Sequence, residues 1–462
     1  MFHGNALMQA GRPAEAAAVY ETARALRPDH PPILYNLGNA LLATGDAAGA
    51  EARFRAALAL APDHAGSHNN MGNALRQQGR HAEAADSYRA ALALRGDLFG
   101  AFNNLGAVLL ALHQPEAALA ALRDSLRLNP DYAEAHNNMG GALLALGDAP
   151  RAAAAFARAV ALEPTHAQAH LGLALALLTQ GRLRAGFAEY EWRWQDPRFA
   201  EDLRAYDAPL WLGETDLRGA TLLVHHEQGL GDTIQFARYL PLLRARGARV
   251  VLEVQDSLLG LLAPLADTAL AAGAALPPHA WRTPLLSLPR ALGTEPATLP
   301  AAVPYLRAAP RGSLRRPGLN VALTLAGSAD HGEDALRSIP AALLRPLLAL
   351  PGITWHLVQK DGGAEAGLPA PVVLGDFADT ASALAAMDLC LSVDTAVAHL
   401  AGALARPVWI MLQHAADFRW QQQRADSPWY PTARLFRQDA DRRWEPVVAR
   451  VAAALSSIPH PP

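Results

Sequence analysis

Two short stretches carry residue types at spacings that chemistry can use. The first, HHEQGLGDTIQFARY at residues 225–239, places Gly229 and Gly231 just before Asp232. Glycines there let a backbone turn tightly and approach a ligand, and Asp232 falls where a helix begins, as either an N-cap or an aimed carboxylate. The second, SVDTAVAHLAGAL at residues 392–404, ends an apolar run on Asp394. The helix that follows would point unpaired amides and a positive dipole at whatever lies beyond, the outline of a phosphate site. Thr395 has a hydroxyl to donate, and His399, one helical turn later, has a ring N–H for the same anion. A histidine so placed also serves as a satisfied structural residue.

These stretches need strands behind them and helices after them, and the pattern supplies both. Thr221-Leu-Leu-Val224 reads as a strand, and apolar residues at helical spacing follow Asp232. From residue 221 onward, strands are expected at 221–226, 249–254, 319–325, 353–359, 389–393 and 407–412. Helices are expected at 232–246, 341–350, 379–387, 395–404 and 444–455. Such alternation implies parallel sheets with right-handed crossovers, and a proline-rich interval at 296–317 divides them into two small nucleotide-fold lobes. Ligands then bind beyond the carboxyl ends of the strands, between the lobes.

Before residue 195 the chain is of another kind. Gly4, Gly38, Gly72, Gly106 and Gly140 recur every 34 residues, as do Ala16, Ala50, Ala84, Ala118 and Ala152. A bulky position holds Tyr20, Phe54, Tyr88, Leu122, Phe156 and Tyr190, and Pro28, Pro62, Pro130 and Pro164 end the unit. Small residues let two helices cross closely, the bulky one fills the space between them, and proline stops the second. This resembles the tetratricopeptide repeat. The first unit lacks most of its first helix, which leaves room for an array that begins upstream of Met1. The sixth departs, with Gly186 at the small position and Ala174 for the glycine.

Such arrays curl into a superhelix lined by the first helix of each unit. Two residues before the repeat glycine stand Asn36, Asn70, Asn104 and Asn138. Asparagine gains nothing in a helix interior, so a column of it suggests donors and acceptors facing something, with an extended peptide backbone a natural partner. The alternative is that the amides bond one another or neighbouring helices and fix the repeat spacing.

Composition narrows the classes. A net charge of −3 argues against a general nucleic-acid or membrane-surface binder. No apolar run reaches the length of a membrane span and no signal-like leader appears, so a cytoplasmic protein is expected. The single cysteine, Cys390, excludes an internal disulfide framework or thiolate metal cluster and reads as a core thiol. Trp192 and Trp194 read as packing at a domain junction. Asp439-Ala-Asp441 has the spelling of a metal-binding pair but reads as a solvated loop. His225 and His226, adjacent in a strand, face opposite ways and cannot readily share a metal, one of them lining the cleft.

Together, the GLGD turn, the sequence DALRSIP at 334–340 and the SVDTAVAHLAGALARPV run resemble the glycosyltransferase family of the bacterial heptosyltransferases. The similarity is greatest to its branch fused to tetratricopeptide repeats, which shares YEWRW at 190–194, Asp379-Thr380 and PWYPT at 428–432. The resemblance implies a compact GT-B architecture of two Rossmann-like lobes. It also implies a metal-independent reaction without a cofactor, a nucleotide sugar being the co-substrate. It implies Asp232 as general base toward an acceptor hydroxyl, Arg337 on the donor diphosphate, and Asp394, Thr395 and His399 in the nucleotide and phosphate motif. Gln359 and Lys360, the latter the single lysine, match a glutamine and lysine at the same cleft in related protein glycosyltransferases. Those enzymes also carry an asparagine ladder that grips acceptor polypeptide. Leu325, where the branch usually has tryptophan, and Ala396, for a common glycine, depart from the pattern.

The expected organisation is an α superhelix over 1–194, a linker over 195–218, an acceptor-side lobe over 219–310 and a donor-binding lobe over 311–462. The expected function is inverting transfer of a sugar to serine or threonine of a protein held by the repeats, flagellin being one acceptor the resemblance implies. The alternatives are a transferase acting on lipopolysaccharide or another glycan, and a repeat scaffold carrying a degenerate transferase module.

Overall fold

The computed structural model describes residues 1–197, 199, 206–327, 334–359 and 368–458. The chain forms two compact units, Met1–Leu173 and Ala174–Pro462.

In the first unit, helices Phe2–Gln9 and Pro13–Leu26 are followed by four pairs. These are Pro31–Ala43 with Ala47–Leu60, Ala65–Gln77 with His81–Leu94, Phe99–Ala111 with Pro115–Leu128, and Ala133–Ala145 with Ala149–Leu162. Proline at the first turn costs no hydrogen bond and starts several of them. Asp46 and Asp148 cap two others by accepting from Gly49 and Arg151 N–H. The repeat glycine and the bulky residue sixteen positions later form one steric unit. A Cβ on Gly38 would lie 2.6 Å from the Phe54 ring, on Gly72 2.7 Å from Tyr88, and on Gly140 2.7 Å from Phe156. No other residue allows that approach, and the five repeat alanines are wholly buried beside it.

The second unit opens inside the sixth repeat, with helix Leu183–Tyr190, and continues into two parallel sheets. The first sheet holds β1 (Thr221–His225), β2 (Arg249–Val254), β3 (Thr268–Ala271) and β4 (Trp281–Pro284) in the order β3-β2-β1-β4. The second holds β5 (Leu319–Thr324), β6 (Ile353–Leu357), β7 (Leu389–Val393), β8 (Val408–Leu412) and β9 (Ala433–Arg437) in the order β6-β5-β7-β8-β9. Central strands β5, β7 and β8 are buried along their whole length, as strands covered by helices on both faces must be. Their side chains join Leu344, Leu347, Trp444, Val447 and Val451 in one core.

Three strands, β3, β4 and β9, lie outside the sequence expectation. β3 and β4 have four residues each, partly exposed, and β9 reads Ala-Arg-Leu-Phe-Arg, so none forms a long apolar run. The single helix expected at 232–246 is two, Leu230–Phe236 and Leu240–Ala245, with a tight turn at Ala237–Tyr239 between them. Pro241 starts the second, having no N–H to continue the first. The helix expected at 341–350 is likewise a 3-10 turn, Ala341–Leu344, plus the short helix Arg345–Leu348. Part of the passage read as a linker joins the edge of β4: Arg282 N–H donates to Pro209 O at 3.0 Å and Trp211 N–H to Arg282 O at 2.8 Å. Among the described residues no helix is long and apolar enough to cross a membrane.

Candidate functional site

Both sheets reverse their strand order, and the crevice of a parallel sheet opens where that happens. In the first sheet the reversal lies between β1 and β4, and in the second between β5 and β7. Beyond the end of β1, Gln228 takes a left-handed backbone (φ 58) and the chain turns into helix Leu230–Phe236. Asp232 sits in its first turn, and its Oδ2 accepts the Gly229 N–H at 3.0 Å. It is therefore a cap, half of a capping box, since glycine has no side chain to return the bond. Its second oxygen, Oδ1, accepts a hydrogen bond from Arg419 Nη2. Asp232 serves as cap and directed carboxylate at once.

Beyond the end of β7, Asp394 and Thr395 lead into helix Ala396–Ala403. No side chain caps that helix, and the Thr395 hydroxyl lies 3.1 Å from Ser392 Oγ. His399 is buried, stacked on Trp420 with ring centroids 5.1 Å apart, and its Nδ1 lies 3.0 Å from the Tyr430 hydroxyl. Burial, together with the charges of Arg419 and Arg238, lowers its pKa well below the ordinary imidazole value. It is a neutral ring whose Nε2 faces Asp394 Oδ1 at 3.9 Å.

The two stretches meet. A Cβ built on Gly231 would lie 3.0 Å from His399 Cδ2, 3.5 Å from Ala396 Cα and 3.7 Å from Ala396 N. Glycine at 231 is thus what lets the turn after β1 touch the start of the helix after β7. Burial pushes the Asp232 carboxyl above the usual carboxylate range; Arg419 acts against that shift and Asp417 adds to it. Asp394 is pushed up to about 6, by burial first and then by Asp417, with Arg419 and Arg337 opposing. Arg337, at the end of helix Asp334–Arg337, thus lies within electrostatic reach of Asp394. So does Arg437, whose pKa burial lowers to about 10 while Asp394 raises it. A junction with three carboxylates, three arginines and an uncapped helix start can bind an anion and can also take up a proton.

The other expected residues distribute as follows. Gln359 Oε1 accepts the N–H groups of Leu325 and Ala326 at 3.0 and 3.2 Å, so its carbonyl shapes the loop after β5. Lys360 lies outside the described residues. The asparagine column is used within the array. Asn36 donates to Asn5 Oδ1 at 3.5 Å, Asn70 to Asn39 at 2.7 Å and Asn104 to Asn73 at 3.1 Å, each 31 residues back. Asn138 donates to Asn103 at 2.9 Å. Tyr20 and Tyr88 hydroxyls donate to the same carbonyl oxygens of Asn5 and Asn73. These amides link successive first helices, the alternative role weighed for them, and a bound peptide would have to share or exchange those partners.

Several residues here have no local signal in the sequence. Arg419, in the loop after β8, is 187 residues from Asp232 and meets it only through the fold. Arg238 donates to Trp429 O at 2.7 Å and lies over the rings of Tyr305 and Tyr430. Trp192 and Trp194 are half-buried, and Arg193 between them is the fully buried one. It binds Glu227 through Nε and Nη2 at 2.8 and 2.9 Å, under the Trp194 ring. Phe187 packs edge-on to Phe236 and Phe418, and Tyr190 and Gln228 exchange hydrogen bonds, so helix Leu183–Tyr190 is seated on the turn that carries Asp232. Asp439 and Asp441 are exposed, and no cluster suited to a metal occurs among the described residues. His225 is buried and stacked on Tyr206, and Cys390 is a buried thiol raised to about 12.

The fold defines a repeat array followed by parallel α/β layers, and the comparisons name the array. Tetratricopeptide-repeat family models match residues 7–69, 72–112, 103–164 and 139–197, so the N-terminal region consists of tetratricopeptide repeats. A curated relative, Protein FlbA of Caulobacter vibrioides, is 30% identical over 320 residues, 60% of this chain and 52% of that protein. The chain spans about half the length of that relative. Among solved structures, YrrB, described as a TPR protein with an unusual peptide-binding site, is 24% identical with a TM-score of 0.34, covering 40% of this chain and 100% of that one. TTC0263, a thermophilic TPR protein of Thermus thermophilus, is 26% identical with a TM-score of 0.33, covering 37% of this chain and 94% of that one.

Proposed function

We propose that the chain is a glycosyltransferase of GT-B type that moves a sugar from a nucleotide donor to a hydroxyl of a protein, captured by its tetratricopeptide repeats. The observation that carries this reading is the contact between the Gly229–Asp232 turn and the start of helix Ala396–Ala403, at the carboxyl ends of two parallel sheets. In the proposed reaction the acceptor oxygen attacks the sugar carbon as the bond to phosphate breaks, and Asp232 takes the hydroxyl proton. The leaving phosphate is met by the uncapped amides of the 396 helix and by Arg337. The neutral ring of His399 offers a hydrogen bond without adding charge. A raised Asp232 pKa supports the role, because a base acts best when its pKa lies near the working pH. The repeats support capture of a peptide or protein, and the sequence resemblance makes flagellin an acceptor to test.

A scaffold with an inactive transferase module is the second reading, favoured by the bond that already occupies Asp232 Oδ1. A thermal-shift screen with UDP-, GDP- and CMP-linked sugars, followed by intact mass of co-expressed acceptors, separates the two. The transferase reading expects a shift that Arg337→Ala or His399→Ala abolishes and a mass gain on an acceptor. Absence of both supports the scaffold.

A further inference from the structure

We propose that Arg419 is the positioning residue for Asp232, and that Asp417 sets how much of its charge Asp232 receives. The inference rests on Asp232 being the base of the proposed reaction. The guanidinium uses three nitrogens on three partners: Nε donates to Gln235 Oε1 at 2.7 Å, Nη1 to Asp417 Oδ1 at 2.8 Å, and Nη2 to Asp232 Oδ1. Asp232 and Gln235 are three residues apart on one helix, so a single planar fork spans a turn of it, which a lysine ammonium cannot do. Gly229 N–H already holds Asp232 Oδ2. With both oxygens pinned, the carboxylate has one orientation.

The charge balance follows from the same contacts. Asp232 is shielded from water on most sides, its side chain 19% exposed and that of Arg419 9%. A carboxylate so placed with no counter-charge would hold its proton and be useless as a base, whereas an undivided ion pair would make it too weak. Asp417, which faces more water, divides the guanidinium between two carboxylates. Other titratable groups near this turn among the described residues are Tyr190, which feels the Asp232 charge, and His399, which meets the neighbouring Gly231 and faces Asp394. None of these replaces Arg419 in hydrogen bonding to Asp232 Oδ1.

The test uses the full chain in three backgrounds: unchanged, Arg419→Met and Asp417→Asn. Each is compared with its own Asp232→Asn derivative by thermal unfolding from acid to alkaline pH. Because Asp232→Asn deletes one titrating group, the Tm difference within each pair changes between the pH where an unfolded aspartate ionises and the pH where folded Asp232 does. The midpoint of that change should rise by roughly half a pH unit or more in Arg419→Met and fall in Asp417→Asn. Coincident midpoints, or movement in the same direction, overturn the proposal. If Arg419→Met does not fold, the direction in Asp417→Asn decides.

Release of sugar from UDP-, GDP- and CMP-linked donors is followed in parallel, and its acid limb should move in the same order. Unfolding midpoints that move as stated while every donor stays intact would leave the charge pair standing and remove the transferase reading. Sugar release whose acid limb ignores both substitutions would do the reverse.

Discussion

Replacing Arg193 by methionine should destabilise the second unit by about 3–5 kcal/mol, the usual cost of leaving one member of a buried ion pair alone. The figure follows from the contacts. Both side chains of the Arg193–Glu227 pair are fully buried. The guanidinium also donates to Ser287 Oγ at 2.8 Å and to Tyr190 O and Glu191 Oε1, each at 3.1 Å. Without it, Glu227 is left with the Leu286 N–H at 3.0 Å to support a charge that burial already disfavours. Removing both charges, as in Arg193→Met with Glu227→Leu, should cost no more than either single change, a coupling of about 3 kcal/mol or more. The assay is urea unfolding followed by tryptophan fluorescence. All nine tryptophans lie beyond Leu173, so the signal comes from the second unit alone. The penalty should also depend on pH. Loss of Arg193 raises the folded-state pKa of Glu227 further above its unfolded value, so the penalty should shrink as pH falls toward the unfolded value and grow as pH rises toward the folded one. A single-mutant cost below about 1 kcal/mol, or a double mutant equal to the sum of the singles, would refute the argument.

Other outcomes are equally definite. Gly72→Ala should lower array stability by about 1–2 kcal/mol, its overpacking against the Tyr88 ring partly offset by better helix propensity. Gly100→Ala, in a helix where an added Cβ meets nothing within 4 Å, should instead be neutral or stabilising; equal effects in circular-dichroism melts would contradict the steric pairing. The Asp394 contribution should favour UDP binding as pH falls through about 6, because the raised carboxyl then loses the charge that repels phosphate, and Asp394→Asn should remove that part of the dependence. Calorimetry showing the same pH slope in both proteins would place Asp394 away from the bound phosphate.

The repeats were legible because their residues recur at a fixed spacing, and the glycine and its bulky partner sixteen positions on turn out to be one contact. The GLGD and DTAVAH stretches were legible because a strand, a turn and a helix start leave a local signature. That the two would touch was not, since Gly231 and His399 meet only once β1 and β7 stand in their sheets. Arg419 was invisible for the same reason: Asp232 and Gln235, two of its three partners, lie 187 and 184 residues away. The asparagine column showed a readable spacing with two meanings, and the 31-residue offset of three of its bonds shows one of them, the link between repeats. The break at Ala237–Tyr239 could have been read from Pro241. The short strands β3 and β4 could not, because four partly exposed residues carry too little pattern.

Nucleotide release tests the central claim most directly. The full chain is incubated with UDP-, GDP- and CMP-linked sugars, and the freed nucleotide is compared between the unchanged protein and Asp232→Asn. Sugar transfer at this junction predicts release from one donor class by the unchanged protein, and loss of that release in Asp232→Asn while the donor still raises Tm. No release from any class, or release undiminished by Asp232→Asn, contradicts it.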